Sequence, residues 1–490
     1  MRLPRDEEER QHLGPIGSAP VRHGHVEVGA PARRDVTRNP SVHLVDDLSR
    51  RQAVAILDRR LELLRTRLNM MAQAIWDKPL IKPGGKVPHY LTLQAFFYGT
   101  LRLPEVWISQ KGERKLSTNR EALEKLETYL YARPFVTAIL AVRDLEKQRQ
   151  VMTEEIDPDG RIRTSYNIAG TETGRPSSSQ NAFGTGGNLQ NIAPSLRYVF
   201  VADPGWKICN IDLEQVEARD VGFLCGCLFD DWSYLDACES GDLHTNNAKR
   251  IWHELGWTGD KVRDRVIADS QFYREFSYRD MAKRGSHLSN YMGTAWTASR
   301  SLKVPQGLME DFQQRYCRGP NCAFPCINRY WQWIATELQL GATLTTPFGR
   351  ERRFWGRPND DATLREGIAF LPQGTTADRT NFILWRIWRY MPQVQVLAQT
   401  YDSVTFQYLD KGPSYEREIV EEALTHIAVP LFAQNGRKYV VPGEAKVGFN
   451  WGNANLDPKK GRLNPDGLVK WTSSKPDLRQ RQVGLQRTIL

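Results

Sequence analysis

From Val54 onward, apolar residues recur at Leu57, Leu61, Leu64, Leu68, Met71 and Ile75, in alternating steps of three and four. This period places them on one stripe and predicts a long amphipathic helix whose stripe must be covered. Residues 118–149 offer the cover. Thr118 and Glu121 have capping-box spacing, and Leu123, Leu126, Leu130, Val136, Ile139 and Leu140 carry an apolar face interrupted at Pro134. The pair predicts an antiparallel helical arm. Beyond residue 150 the period changes. Residues 206–212 (WKICNID) alternate as a strand ending in Asp212, and a helix follows. Helical spacing dominates 214–340, while TTPFGRERRF and VQVLAQTYDSVTFQYL read as hairpins. The expected class is α+β. Its expected divisions are a flexible arm at 1–42, a helical region at 43–165, a mixed region at 166–235, a helix-rich block at 236–335, a second mixed region at 336–455 and a basic tail at 456–490.

Composition narrows this picture by exclusion. Hydrophobic residues make up 40% and charged residues 25% of the 490 positions, so the chain as a whole is not disordered. No run of 18 apolar residues occurs and the N-terminus lacks an apolar signal core, so no membrane partner and a cytoplasmic location are expected. Seven cysteines argue against a secreted disulfide framework. Cys317, Cys322 and Cys326 cluster, but no histidine lies nearby to complete a zinc site, so zinc is not expected. The net charge of +10 suits a polyanionic partner. Residues 458–490 carry eight basic side chains against two acidic ones, as a solvated, phosphate-seeking tail would.

Four segments carry candidate chemistry. Asp212 ends a strand, and Glu217 lies about one turn into the next helix, where it can wall the same cleft. Asp402 sits at the tip of the second hairpin. Aspartates on neighbouring strands could hold two divalent metals, although helix caps and turns use the same residue type. Arg279, Lys283, His287 and Tyr291 are spaced by four and share one helix face, cationic at one end and aromatic at the other, which suits a nucleoside triphosphate. Thr171–Ser179 and Gly186–Pro194 are rich in hydroxyls and carboxamides suited to phosphates, sugars and minor-groove acceptors.

In order, these segments resemble the motifs of family A DNA polymerases, the group related to bacterial DNA polymerase I, over roughly residues 45–455. Thr173, Gly174, Arg175, Ser177 and Ser178 match its TGR-SS segment, and Asn188, Leu189, Gln190, Asn191 and Ile192 its NLQNIP segment. Residues 212–219 are similar to its DYSQIELR motif, and Asp242–His244 to its D-x-H. Arg279, Lys283 and Tyr291 follow its nucleotide-binding helix, with Gly293 one place late. Residues 348–353, 373–378 and 444–452 resemble its GRRR, QGTAAD and terminal E-x3-G-x-NW segments.

The resemblance implies a right-hand fold, with 43–165 as thumb, 166–235 and 336–455 as palm and 236–335 as fingers. It implies a template-directed DNA polymerase using two Mg²⁺ ions, with Mn²⁺ as the alternative, held by Asp212 and Asp402. Arg279, Lys283, His244 and Gln215 would bind the incoming triphosphate, with Lys283 catalytic, and His287 and Tyr291 would shape the base pocket. Glu217 would exclude a ribose 2′-hydroxyl. Arg175, Asn188, Gln190, Asn191 and Gln373 would contact primer and template. Three departures stand out. Tyr401 and Ser403 flank Asp402 where the family has HDE, His287 replaces an aromatic residue, and too little chain precedes the thumb for a proofreading or 5′ nuclease domain. A phage or viral source is the expectation, with primer-template DNA and deoxynucleotides as partners and a separate nuclease or processivity factor beside them. Two other readings remain open: a single-subunit RNA polymerase and a catalytically impaired DNA-binding relative.

Overall fold

A computed structural model describes residues 42–110, 113–181 and 184–473. The expected arm at 1–42, except its last residue, and the tail from 474 lie outside the described residues.

Strand β1 (Val42–Val45) leads into helix α1 (Asp47–Gln73), which Asp46 caps by accepting from the Ser49 N–H. Leu57, Leu61 and Leu68 form its buried stripe. Two further helices, α2 (Arg120–Leu126) and α3 (Arg133–Met152), supply the cover. Phe135, Val136, Ile139 and Val142 of α3 share a core with Leu61 and Leu68. The Arg65–Glu146 ion pair, at 2.7 Å, clips α1 to α3. The local reading of this region needs two corrections. Asn119, not Thr118, caps α2, its Oδ1 accepting from the Ala122 N–H at 2.8 Å. Pro134 does not interrupt a helix but stands in the first turn of α3, where its missing N–H costs nothing.

Next come β2 (Arg161–Arg163), β3 (Ser165–Asn167), β4 (Ser177–Ser179), β5 (Phe200–Val201) and β6 (Trp206–Leu213). A small antiparallel sheet orders β2–β1–β5. The helix-rich block includes α4 (Val216–Phe229), α5 (Leu243–Ile251), α6 (Tyr278–Asn290) and α7 (Pro325–Gly341). After the β7 (Thr343–Thr345) and β8 (Glu351–Arg353) hairpin runs α8 (Asp361–Tyr390). Strands β9 (Val394–Thr400) and β10 (Ser403–Leu409), helix α9 (Pro413–Ile427), β11 (Gly443–Gly448) and β12 (Val469–Lys470) complete the fold. The principal sheet is antiparallel, in the order β9–β10–β6–β11–β12.

Strand β6 is covered on both faces. Cys209 and Ile211 pack with Ile383 and Ile387 of α8 and with Ile419 and Val420 of α9, while Ile208 joins Leu397 and Trp451 on the opposite face. Only its far end, at Asp212, opens to solvent. The residues expected to form a solvated tail from 456 are in part structural: Leu468 is buried and β12 pairs with β11, because the apolar Leu468–Val469 step completes the sheet's edge.

The sequence reading also left α8 unrecognised, and Pro372 lies inside its 30 residues. A proline cannot donate to the carbonyl four residues back, that of Ile368. In this fold the Tyr330 hydroxyl of α7 donates to the Ile368 carbonyl at 2.9 Å, so the helix continues without a buried unpaired acceptor. Farther along α8, Arg379 is fully buried with Asp220 of α4 at 3.1 Å, and Tyr439 and Thr376 also donate to Asp220.

Tyr330→Phe is expected to cost about 1–3 kcal/mol in denaturant unfolding, by stranding the Ile368 carbonyl. In a Pro372→Ala background, where the backbone N–H returns, the same substitution should cost clearly less. Equal costs in both backgrounds would refute the substitution of hydroxyl for amide. Removing one side of the buried pair, as in Asp220→Ala, should cost about 3–5 kcal/mol by the same measurement.

Candidate active site

The decisive local feature is strand register. Ser403 of β10 pairs directly with Asp212 of β6, and the Leu213 N–H donates to the Asp402 carbonyl at 3.2 Å. The β9–β10 turn consists of Tyr401 and Asp402, with Tyr401 in the left-handed region at φ 53°. This tight turn puts Asp402 beside the open end of β6. Burial, then the charge of Asp402, raises Asp212 to about 6, against a smaller pull from Lys446. Asp402 is raised too, first by burial. Neither carboxylate forms an ion pair among the described residues, so the pair is an electrostatically unsatisfied oxygen donor set. Such a set fits a hard divalent cation. Among the described residues no group of three or more His, Cys, Asp or Glu side chains is set to hold a metal. Cys317, Cys322 and Cys326 are free thiols.

Across β6, Glu444 of β11 is the direct partner of Asp212, so Ser403, Asp212 and Glu444 form a row on three adjacent strands. Ser403 donates its hydroxyl to the Thr400 carbonyl at 3.0 Å, and Glu444 is held by Lys470 and Lys446.

A cleft of about 440 Å³ opens from Asp402 toward α5 and α6. Arg175, Gln215, Glu217, His244, Lys283, His287 and Gln373 all line it. Gln215 caps α4 in the left-handed region at φ 52°, and its buried Oε1 has no partner. Glu217, in the first turn, accepts from both Arg175 and the Tyr291 hydroxyl. Tyr291 is the C-cap of α6 rather than a full member of it, and its ring meets His287 edge-on at 5.4 Å. Ser277 and Asp280 close a capping box at the other end of α6, which fixes where Lys283 and His287 emerge.

Arg279 leans out of the cleft, donating to Asp242 Oδ1 at 3.0 Å. Burial pushes Asp242 up, but hydrogen bonds from Arg279 and Thr245 outweigh it and hold Asp242 at about 2. His244 is lowered to about 4, first by burial and then by Arg279 and Lys283. It therefore faces the cleft as a neutral imidazole at physiological pH, with Nδ1 unpartnered.

Asp212, Arg279 and Tyr291 are not among the residues that line the cleft, and neither are the three remaining candidates. Asn188 accepts from Ser178 at 2.7 Å, and Asn191 accepts from Tyr401 at 2.9 Å. Gln190 is buried, donating to the Pro176 and Gln399 carbonyls at 3.1 and 3.2 Å. The three hold the Thr171–Ser179 segment and the Asp402 turn in place. Within that segment Gly174 adopts φ 79°, and a Cβ there would fall 2.4 Å from the Arg350 guanidinium. Four polar cleft residues escaped the sequence reading: Tyr234, Asn247, Ser286 and Asn290. Asn247 is three residues past His244 on α5 and so on the same face, the one signal that could have found it.

Residues 86–453 match the model of DNA polymerase family A. The chain belongs to that family. Among curated members it is 27% identical over 372 residues to the thermostable DNA polymerase I of Thermus caldophilus, covering 70% of this chain and 40% of that protein. It is 28% identical over 359 residues to DNA polymerase I of Chloroflexus aurantiacus, covering 68% and 34%. The chain thus spans less than half the length of these relatives. A solved family A fold, the POL domain of Pol1 from M. smegmatis in complex with DNA primer-template and dNTP, superposes with a TM-score of 0.61 at 20% identity, over 83% of this chain and 66% of that one. The likeness confirms the α+β polymerase fold. No helix among the described residues is long and apolar enough to cross a membrane.

The raised Asp212 has a sign-definite consequence. Its charged form is disfavoured in the folded state, so Asp212 lowers stability above pH 6, and this penalty fades as pH falls through 6 toward 3.8. Because the side chain reaches solvent, the penalty is discounted to about 1 kcal/mol. In chelator, Asp212→Asn should therefore raise the melting temperature at pH 7.5 by about one degree, with the gap closing by pH 4.5. A gap that widens on acidification would contradict the assignment.

Proposed function

We propose that this family A member is a template-directed DNA polymerase that adds deoxynucleotides to a primer 3′ end. One juxtaposition carries the reading: the β9–β10 turn sets Asp402 beside the strand end that carries Asp212, and Asp402 shares a cleft with Lys283 and His287 of α6. Two Mg²⁺ ions held by Asp212 and Asp402 would activate the primer hydroxyl and stabilise the departing pyrophosphate. The chain's own residues do the rest. Lys283 has no carboxylate partner among the described residues, so its ammonium is available to phosphate oxygens. Arg279 reaches them on exchanging Asp242 for the triphosphate. Neutral His244 offers a hydrogen bond without adding charge. His287 and Tyr291 border the base, and Glu217, anchored by Arg175 and Tyr291, stands where it excludes a 2′-hydroxyl. Arg175 and Gln373 face the primer terminus, while Asn188, Gln190 and Asn191 position the loops beneath it. We assign the helical region at 43–165 to the thumb, 236–335 to the fingers, and 166–235 with 336–455 to the palm. Activity of this kind fits the cytoplasm.

Primer extension on a defined template tests this reading. Asp212→Asn and Asp402→Asn should each reduce extension by more than about 100-fold, with primer-template affinity retained. Extension by either variant at the wild-type rate would overturn the proposal. Glu217→Ala should raise ribonucleotide use relative to deoxynucleotide use by about tenfold or more, whereas a ribonucleotide polymerase would show no such gain.

A further inference from the structure

Helix α8 continues well past the cleft, and its distal half is unusual. Phe382, Trp385 and Trp388 follow at steps of three and, with Tyr390, are 44–60% exposed. Phe382 and Trp385 stack at 5.6 Å, and Trp385 meets Tyr390 edge-on at 5.6 Å, so the rings are ordered against one another rather than left loose. Arg386 and Arg389 are interleaved with them, and neither is in an ion pair among the described residues.

This face borders a cavity of about 1210 Å³ lined by Trp385 and Trp388 on one side and by Ile168 and Val396 on the others, with Glu172, Asn381, Gln399 and the Asp378-paired Arg350 among its polar lining. That volume exceeds the ~300–1,000 Å³ of ordinary small-ligand sites. The cavity adjoins the active cleft: Arg175 lines the cleft and Pro176 the cavity. Gln373 and Asn381, eight residues apart on α8, do the same, which separates the two openings by about 12 Å along the helix.

The chemistry of the patch selects its occupant. Ordered, exposed rings attract flat π-faced groups, and unpaired guanidinium groups between them attract a repeating anion. A purely apolar protein partner would leave Arg386 and Arg389 desolvated and uncompensated. Duplex DNA has its base faces already stacked and offers none to the tryptophans. Unpaired nucleotides satisfy both demands. We propose that the Trp385–Trp388 face and its cavity form a binding site for single-stranded DNA, separate from the nucleotide cleft and contiguous with it.

The test uses the full chain in EDTA without nucleotides and a short fluorescein-labelled oligothymidylate read by fluorescence anisotropy. The W385A/W388A double substitution should weaken binding by at least about tenfold, while W385F/W388F retains most of it and a blunt duplex binds as before. R386Q/R389Q should weaken binding and flatten its dependence on log salt by about 1.4. Unchanged oligothymidylate affinity in W385A/W388A would overturn the site, as would a parallel loss of duplex affinity. A shift from dimer to monomer on sedimentation, without loss of oligonucleotide affinity, would overturn it in favour of an interface between copies. Thermal melting checks folding; should the double variant fail to fold, W388A alone, at the most exposed ring of the three, carries the same expectation at smaller size. Asp212→Asn should leave oligothymidylate binding unchanged, so failure of this site and failure of the catalytic reading are read separately.

Discussion

Everything at the active site follows from the pairing of β10 with β6. A slip of one residue would turn Asp212 to the other face of the sheet and move Asp402 off the strand end. Both faces of β6 are buried, against α8 and α9 on one side and the Leu397–Trp451 core on the other, so such a slip would drive Asn210 and Asp212 into the α8–α9 core in place of Cys209 and Ile211. Hydrophobic burial over the length of the strand thereby holds two mutually repelling carboxylates at its end. Asp212 is raised first by its burial there and then by the charge of Asp402.

Opposite this negative end, the cations are restrained in different ways. Arg175 is bound to Glu217 and Arg279 to Asp242, whereas Lys283 is unpaired among the described residues. An anionic ligand would meet one free charge at once and two that must first exchange partners. Glu217 is the pivot of this arrangement, because the same carboxylate fixes an arginine from the Thr171–Ser179 segment and the tyrosine that ends α6. Three segments far apart in sequence are tied at a single side chain.

Much of this was legible in the chain. The three-four stripe from Leu57 to Leu68 gave α1, the alternation in residues 206–212 gave β6, and the spacing of Arg279, Lys283 and His287 gave one face of α6. What stayed hidden depends on tertiary partners. The length of α8 stayed hidden because the Tyr330 hydroxyl that serves the Ile368 carbonyl, 42 positions before Pro372, is invisible to local pattern. Asn119 outcompeted Thr118 as a cap because Thr118 is buried beneath the arm. Gln190 reads as an outward ligand, yet its amide serves two carbonyls, one of them on β9. Asn247 looks like any helical asparagine until α6 is packed against it.

The tyrosine that replaces a backbone donor in α8 also ties that helix to α7. Helix α8 enters the principal sheet's core at Ile383 and Ile387, whereas its early turns belong to the helix-rich core with α7. The Tyr330–Ile368 contact lies on the latter side, at the weakest link of the helical ladder. Through it α7 holds α8 at the one carbonyl the proline leaves free, and the long helix runs on from the helical core to the sheet that carries the aspartates.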